Sequence, residues 1–147
     1  MTYIEFIQYI KTWLGDTGDL AYIKEILEDE IELPINESGI NQFPAAFVTP
    51  LPFTIDGNNR ATYSCRIYLA GDVGLSPIIK PGLQTSSQRF LTYTSLIDIF
   101  HKFVQGIPDE FNGMLYPITC NPVLLWDSNV DGIYFDINFM SGVDCLI

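Results

Sequence analysis

The residues best able to do chemistry in this sequence are the oxygen donors of Asp127-Ser128-Asn129-Val130-Asp131-Gly132. In a calcium-binding loop, oxygens at the first, third and fifth positions converge on the ion and a glycine at the sixth permits the sharp turn. The hexapeptide matches those positions. The twelfth, where a bidentate glutamate closes the shell, is Asn138, and the residues after Gly132 alternate like a strand. The spacing therefore predicts a hairpin turn in which Asp127, Asn129 and Asp131 serve for their turn geometry and hold no metal. The single histidine, His101, follows Asp98 by three residues. Any acid–base or metal role would have to start from that pair, but without a nucleophile beside it the pair reads as a helix-surface contact. Cys65, Cys120 and Cys145 have no paired spacing and no second ligand at zinc distance, so they read as small buried hydrophobes. Gly71-Asp72-Val73-Gly74 lacks the lysine and the following helix of a phosphate-binding loop. No catalytic constellation, metal site or cofactor is expected.

The elements that would position these residues follow from periodicity. Ile4, Ile7, Ile10 and Leu14 recur at helical spacing after Thr2, and Thr2 with Glu5 makes a capping box, so a helix is expected from about Tyr3 to Leu14. Leu20, Ile23, Ile26 and Leu27 make a second helical stripe, capped by Asp19 and closed by Pro34, with Glu25, Glu28, Asp29 and Glu30 on its other faces. Ala45 to Val48 reads as a strand, and Pro50 and Pro52 mark an edge or a bent end. Asp56-Gly57-Asn58-Asn59 should turn a hairpin between Phe47–Ile55 and Arg60–Leu69, with Tyr63, Cys65, Ile67 and Leu69 on the core face.

Residues 71–85 have no period and exceed what a strand-to-helix connection requires. Val73, Leu75, Ile78, Ile79 and Leu83 lie there between glycines and prolines and are expected to serve assembly rather than the chain's own core. The strongest helix follows, from about Ser86 to Gln105, with Phe90, Tyr93, Ile97, Phe100 and Val104 along its stripe and Leu96, Ile99 and Phe103 beside it. Gly106 and Pro108 stop it. Tyr116–Trp126 and Gly132–Met140 read as a closing strand pair. The expectation is an α+β fold: a four-stranded antiparallel sheet with a long helix packed on one face and N-terminal helices. The 147 residues form one domain, with an acidic helical part at 1–35 and a sheet-and-helix core at 43–147.

The charge bounds the function. Eighteen acidic residues stand against seven basic ones, a net charge of −11, and nine of the acids fall in residues 1–37. Such a surface has no basic footprint for gripping a phosphate backbone. Apolar residues make up 48% while charged residues make up only 17%, which leaves apolar surface for a contact between subunits. No secretory leader is recognised and no apolar run reaches the roughly 18 residues needed to span a bilayer, so the cysteines are expected to be reduced in a cytosolic setting, with no membrane partner.

Phe43-Pro44-Ala45-Ala46-Phe47-Val48, the hairpin after it, the long helix, and the ending from Trp126-Asp127 to Gly132-Ile133-Tyr134-Phe135-Asp136-Ile137 resemble the tail-terminator and neck-ring subunits of tailed bacteriophages. Those proteins share the layout of an N-terminal helix, two strands, a long helix and two strands. The resemblance covers most of the chain and is one of pattern, without a ligand motif, and the second acidic helix has no counterpart in it. It implies a homomeric ring between head and tail that contacts neck, tail or portal proteins of the virion. DNA would pass through its channel without being bound, and the subunits would assemble in the host bacterial cytoplasm. Two other readings follow from the residues themselves. One is a small acidic adaptor or chaperone-like module whose contact is the Asp29–Glu30 region, and the other a hydrolase or transferase built on Asp98, His101 or the Asp127–Asp131 carboxylates.

Overall fold

The computed structural model describes residues 1–27, 43–72, 85–123 and 130–141. Helix α1 spans Tyr3–Asp16, and its first turn is closed by the expected capping box. The Glu5 amide donates to Thr2 Oγ1 at 3.2 Å and the Thr2 amide to Glu5 Oε2 at 2.8 Å, which satisfies two donors that a helix start leaves unpaired. The helix continues past Gly15 to Asp16, and the Thr17 hydroxyl donates back to the Leu14 carbonyl at 2.7 Å. Phe6, Ile10 and Leu14 are fully buried along one face.

The described part of the stretch expected to form a second helix, residues 20–27, holds a strand instead, and its remainder to Pro34 lies outside the described residues. Strand β1, Tyr22–Glu25, pairs in parallel with β2, Ala45–Pro50, with Tyr22 opposite Ala45 and Glu25 opposite Val48. The Ala21 amide donates to the Pro44 carbonyl at 2.8 Å and the Ile26 amide to Val48 at 3.0 Å, so the free edge of β2 supplies the backbone partners. The side chains fit both periods: Ile23 packs toward the helices, while Tyr22 and Ile26 pack on the opposite face. A partner strand available only through tertiary structure overrides the local helical spacing. Asp19, expected as a helix cap, instead holds Lys102 Nζ at 2.6 Å. Asp29 and Glu30 lie outside the described residues.

Strand β3, Thr54–Ile55, and strand β4, Ala61–Asp72, form the expected hairpin. Asn59 takes a positive φ of 59° in its turn. Asp56 accepts from the amides of Asn58 and Arg60 at 2.8 and 3.0 Å, and these bonds hold its carboxyl below the usual carboxylate range. Helix α2 spans Thr85–Gln105, β5 Cys120–Val123 and β6 Val130–Met140. Of the expected Tyr116–Trp126 strand, residues 116–119 are not strand, Cys120–Val123 are, with Pro122 tolerated in an outermost strand, and 124–126 lie outside the described residues. Upstream, residues 113–115 run beside the end of β6, with Leu115 donating to Asn138 at 2.9 Å and Met140 to Gly113 at 2.8 Å.

Among the described residues the fold is therefore α+β, with two helices and a six-stranded, mostly antiparallel sheet where four strands were expected. The order is β1-β2-β4-β6-β5, with β3 also on β4. Both helices pack on one face, where Ala46 and Val48 of β2, Cys65, Ile67 and Leu69 of β4, and Ile133, Phe135 and Ile137 of β6 meet them. Helix α1 contributes to this same core and β1 extends the sheet, so the described residues 1–27 hold a strand as well as a helix.

On α2 the buried face is centred on Thr92, Leu96, Ile99 and Phe103, and the expected leading residue, Phe90, is 68% exposed. At about 100° per residue, Phe90 lies roughly 120° around the helix from Leu96. The apolar arc is wider than the sheet can cover, so one rim stays outside. The opposite sheet face carries a smaller buried cluster of Ile26, Ala45, Phe47, Tyr68 and Ala70.

Candidate functional site

The chemically suggestive residues do not come together. Asp98 and His101 both stand in solvent on α2. Cys65 is fully buried in the main core, where burial pushes its thiol up; Cys120 is half-buried, and burial raises its thiol too. Cys145 lies outside the described residues. Asp131 belongs to β6 opposite Gly71, and Asn138 is seven residues further along the same strand, about 23 Å away at strand rise. An oxygen there does not close a shell around an ion at Asp131. Asn138 Oδ1 instead accepts from the Ser64 hydroxyl at 2.7 Å. Asp127 and Asn129 lie outside the described residues, as do Val73, Leu75, Ile78, Ile79 and Leu83. Gly71 and Asp72 end β4.

Two surfaces remain as candidates. The first is the polar half of the sheet face turned away from α1 and α2. Arg66 on β4 and Asp136 on β6 are cross-strand partners, joined at 2.7 Å through Nε and 3.2 Å through Nη2, and the guanidinium lies 4.5 Å from the ring centroid of Tyr134. The hydrogen bond to Asp136 is the main reason the Arg66 guanidinium holds its proton more firmly than usual. The Thr49 hydroxyl donates to the Arg66 carbonyl at 3.2 Å, tying β2 into the same patch. These groups satisfy one another and give a rigid, locally neutral surface.

The second surface is apolar and lies where α1, β1 and β2 meet. A groove of about 280 Å³ is lined by Tyr3, Ile7, Ile26, Leu27, Val48 and Pro50, with Glu25 at its edge. Glu25 is held by Lys11 of α1 at 3.1 Å. Burial is the main cause that pushes the Tyr3 hydroxyl up to about 12; it donates to the Ser64 carbonyl at 3.4 Å. Beyond Pro50 the chain runs exposed through Pro52 and Phe53 to Ile55. Tyr63 sits between the groove and this run, its ring centroid 5.8 Å from that of Tyr3 and 6.1 Å from that of Phe53. The sequence signal for this surface is the pair of prolines around Leu51, which mark an edge or a bent strand end. Nothing local announces that Phe53 and Ile55 stay in solvent.

Four of the described basic side chains are already paired: Lys11 with Glu25, Arg60 with Asp56, Arg66 with Asp136 and Lys102 with Asp19. No helix among the described residues is long and apolar enough to cross a membrane. Compared with known protein families and with curated proteins, the sequence matches none of them.

Proposed function

We propose that the chain is a structural subunit, not a catalyst, of the ring that joins head and tail in a tailed bacteriophage, of the tail-terminator or connector type. The observation that carries the reading is the order of elements. An N-terminal helix, the antiparallel pair β2 and β4, a long helix and the antiparallel pair β5 and β6 follow one another in a single sheet with both helices on one face. Phe43-Pro44 leads directly into β2, as in the layout that the sequence resembles. Strand β1 is an addition to that layout.

Electrostatics supports a channel role. A net charge of −11, with Lys11, Arg60, Arg66 and Lys102 engaged in internal pairs, offers little to release counterions from DNA. DNA would slide past such a lumen without being held. In this reading the segment 71–85, through Val73, Leu75, Ile78, Ile79 and Leu83, reaches a neighbouring subunit, and the ring's other partners are virion neck, tail or portal proteins. The subunit would assemble in the host bacterial cytoplasm and end in the virion. Light scattering on the purified chain and electron microscopy of its parent particle test this together. A closed ring in either supports it, and a monomer at high concentration that is also absent from any particle sinks it.

A further inference from the structure

We infer that Asn112 is a site of spontaneous deamidation and that its isoaspartyl product releases the 113–115 segment from β6. The inference concerns the turn after α2 and does not rest on the ring reading. Asn112 is the one asparagine of the chain that precedes a glycine. Glycine has no Cβ to obstruct an attack by its own backbone nitrogen on the side chain before it. Asn112 is exposed, so water reaches its carboxamide, and among the described residues the Gly113 amide donates to no acceptor. That nitrogen can lose its proton and act as the nucleophile without giving up a hydrogen bond.

The chemistry needs no co-reactant but water. The Gly113 nitrogen bonds to Cγ of Asn112, the Cγ–Nδ2 bond breaks, and Nδ2 leaves as ammonia with the proton that the backbone nitrogen gave up. Water then opens the cyclic imide. Addition at Cγ leaves an ordinary aspartate. Addition at the main-chain carbonyl carbon leaves isoaspartate, in which the main chain runs through Cβ and Cγ and is one methylene longer. Nothing is oxidised or reduced.

The fold makes that methylene consequential. On one side the Phe111 ring is fixed against Trp13 and Phe139, at centroid distances of 4.7 and 5.0 Å. On the other, the Gly113 carbonyl accepts from the Met140 amide at 2.8 Å, and the Leu115 amide donates to the Asn138 carbonyl at 2.9 Å. Asn112 joins these two anchors. Gly113 has no slack toward β6, since even a Cβ there would run into the Met140 carbonyl oxygen. A longer main chain between the anchors must break one of them, and the hydrogen bond costs less to lose than the packed ring. Asp56-Gly57 at the hairpin turn has the atoms to close the same imide, but its carboxylate is clamped: Oδ1 accepts from the amides of Asn58 and Arg60, and Oδ2 from Arg60 Nε. Among the described residues no such clamp holds the Asn112 carboxamide.

The test ages the full chain at neutral and at mildly alkaline pH and reads every asparagine by peptide mass spectrometry, with isoaspartyl methyltransferase labelling to separate isoaspartate from aspartate. Asn112 should convert first, faster at the higher pH, chiefly to isoaspartate, and at a rate comparable with that of the urea-unfolded chain. The aged chain should melt about 3 °C or more below the fresh one, the effect of one lost hydrogen bond in a domain of this size, with faster hydrogen exchange at the Met140 amide. Asn112→Asp carries the charge without the methylene and should melt within about 2 °C of wild type. Asn112→Ser should lose no melting temperature on ageing. The inference is overturned if Asn112 stays an amide in the folded chain while the unfolded chain converts, or if Asn58 or Asn59 converts first. It is equally overturned if the isoaspartyl chain melts with the fresh one, or if Asn112→Asp melts as low as the aged chain.

Discussion

Placing a methyl group at Gly113 should cost far more than placing one at Gly18, although both residues have a positive φ. Gly18 follows α1 at φ 76°, and a Cβ there meets nothing within 4 Å. Gly18→Ala therefore carries only the cost of a left-handed backbone, about 1–2 kcal/mol. Gly113 has φ 109°, and its Cβ would run into the Met140 carbonyl oxygen and come within 2.7 Å of the Phe139 ring.

Neither neighbour of Gly113 can yield cheaply. The Met140 amide donates to the Gly113 carbonyl at 2.8 Å, so moving the backbone breaks the pairing with β6. Phe139 is 5% exposed, with ring centroids 5.9 Å from Phe6 and 5.0 Å from Phe111. Overpacking at such a site adds about 1–3 kcal/mol and the lost hydrogen bond about 1 kcal/mol. The total for Gly113→Ala is about 3–6 kcal/mol. For a domain of this size, 1 kcal/mol moves the melting temperature by about 3 °C. Thermal unfolding followed by circular dichroism should show Gly18→Ala about 3–6 °C below wild type and Gly113→Ala about 10 °C or more below. Melting temperatures within about 2 °C of each other would refute the close approach of the 113–115 segment to β6.

Tyr3 gives a pH signature. Burial raises its hydroxyl from 10.0 to about 12, so the folded state holds that proton more tightly than the unfolded chain does. Its contribution to stability is present below pH 10 and is lost as pH rises toward about 12; a tyrosinate absorbance titration should show one late-ionising tyrosine that Tyr3→Phe removes. Arg66 and Asp136 form a two-bond pair with side chains 26% and 36% exposed, so a double-mutant cycle with Ala at each should return a coupling of about 1 kcal/mol that weakens in high salt. A coupling near zero would show that the pair is geometry without energy.

What the sequence disclosed was whatever local chemistry decides. The Thr2–Glu5 box fixed the start of α1, Gly106 and Pro108 the end of α2, and the alternation of Ile133, Phe135 and Ile137 the core face of β6. Strand β1 was hidden because Leu20, Ile23, Ile26 and Leu27 satisfy a helical spacing, and only the free edge of β2, more than 20 residues away, makes the extended form better. The second apolar cluster was hidden for a related reason. Thr62, Ser64 and Arg66 make that face of β4 look solvated, and the burial of Tyr68 and Ala70 depends on Phe47 and Ile26 arriving from other strands. As for the candidate surface, the apolar character of Phe53 and Ile55 was legible, but their exposure is set by where β3 falls relative to Tyr63 and the groove.

Strand β1 also changes how an assembly of these subunits would be built. Without it, β2 would be an edge strand six residues long, open to pairing with another chain. With β1 in place, the strand order among the described residues ends at β1 and β5, four residues each, and the two-residue β3 beside β4 leaves one more short edge. Pro122 removes one donor from β5, and the exposed Lys24 puts a charge on the short edge strand β1. Both devices discourage sheet extension, the mode of association that short open edges would otherwise invite. Contacts between copies should then be made by side chains rather than by backbone pairing. Leu27, Phe53 and Ile55 are large apolar groups of that kind, each more than half exposed, and the charges of Glu25 and Asp56 are already paired within the chain.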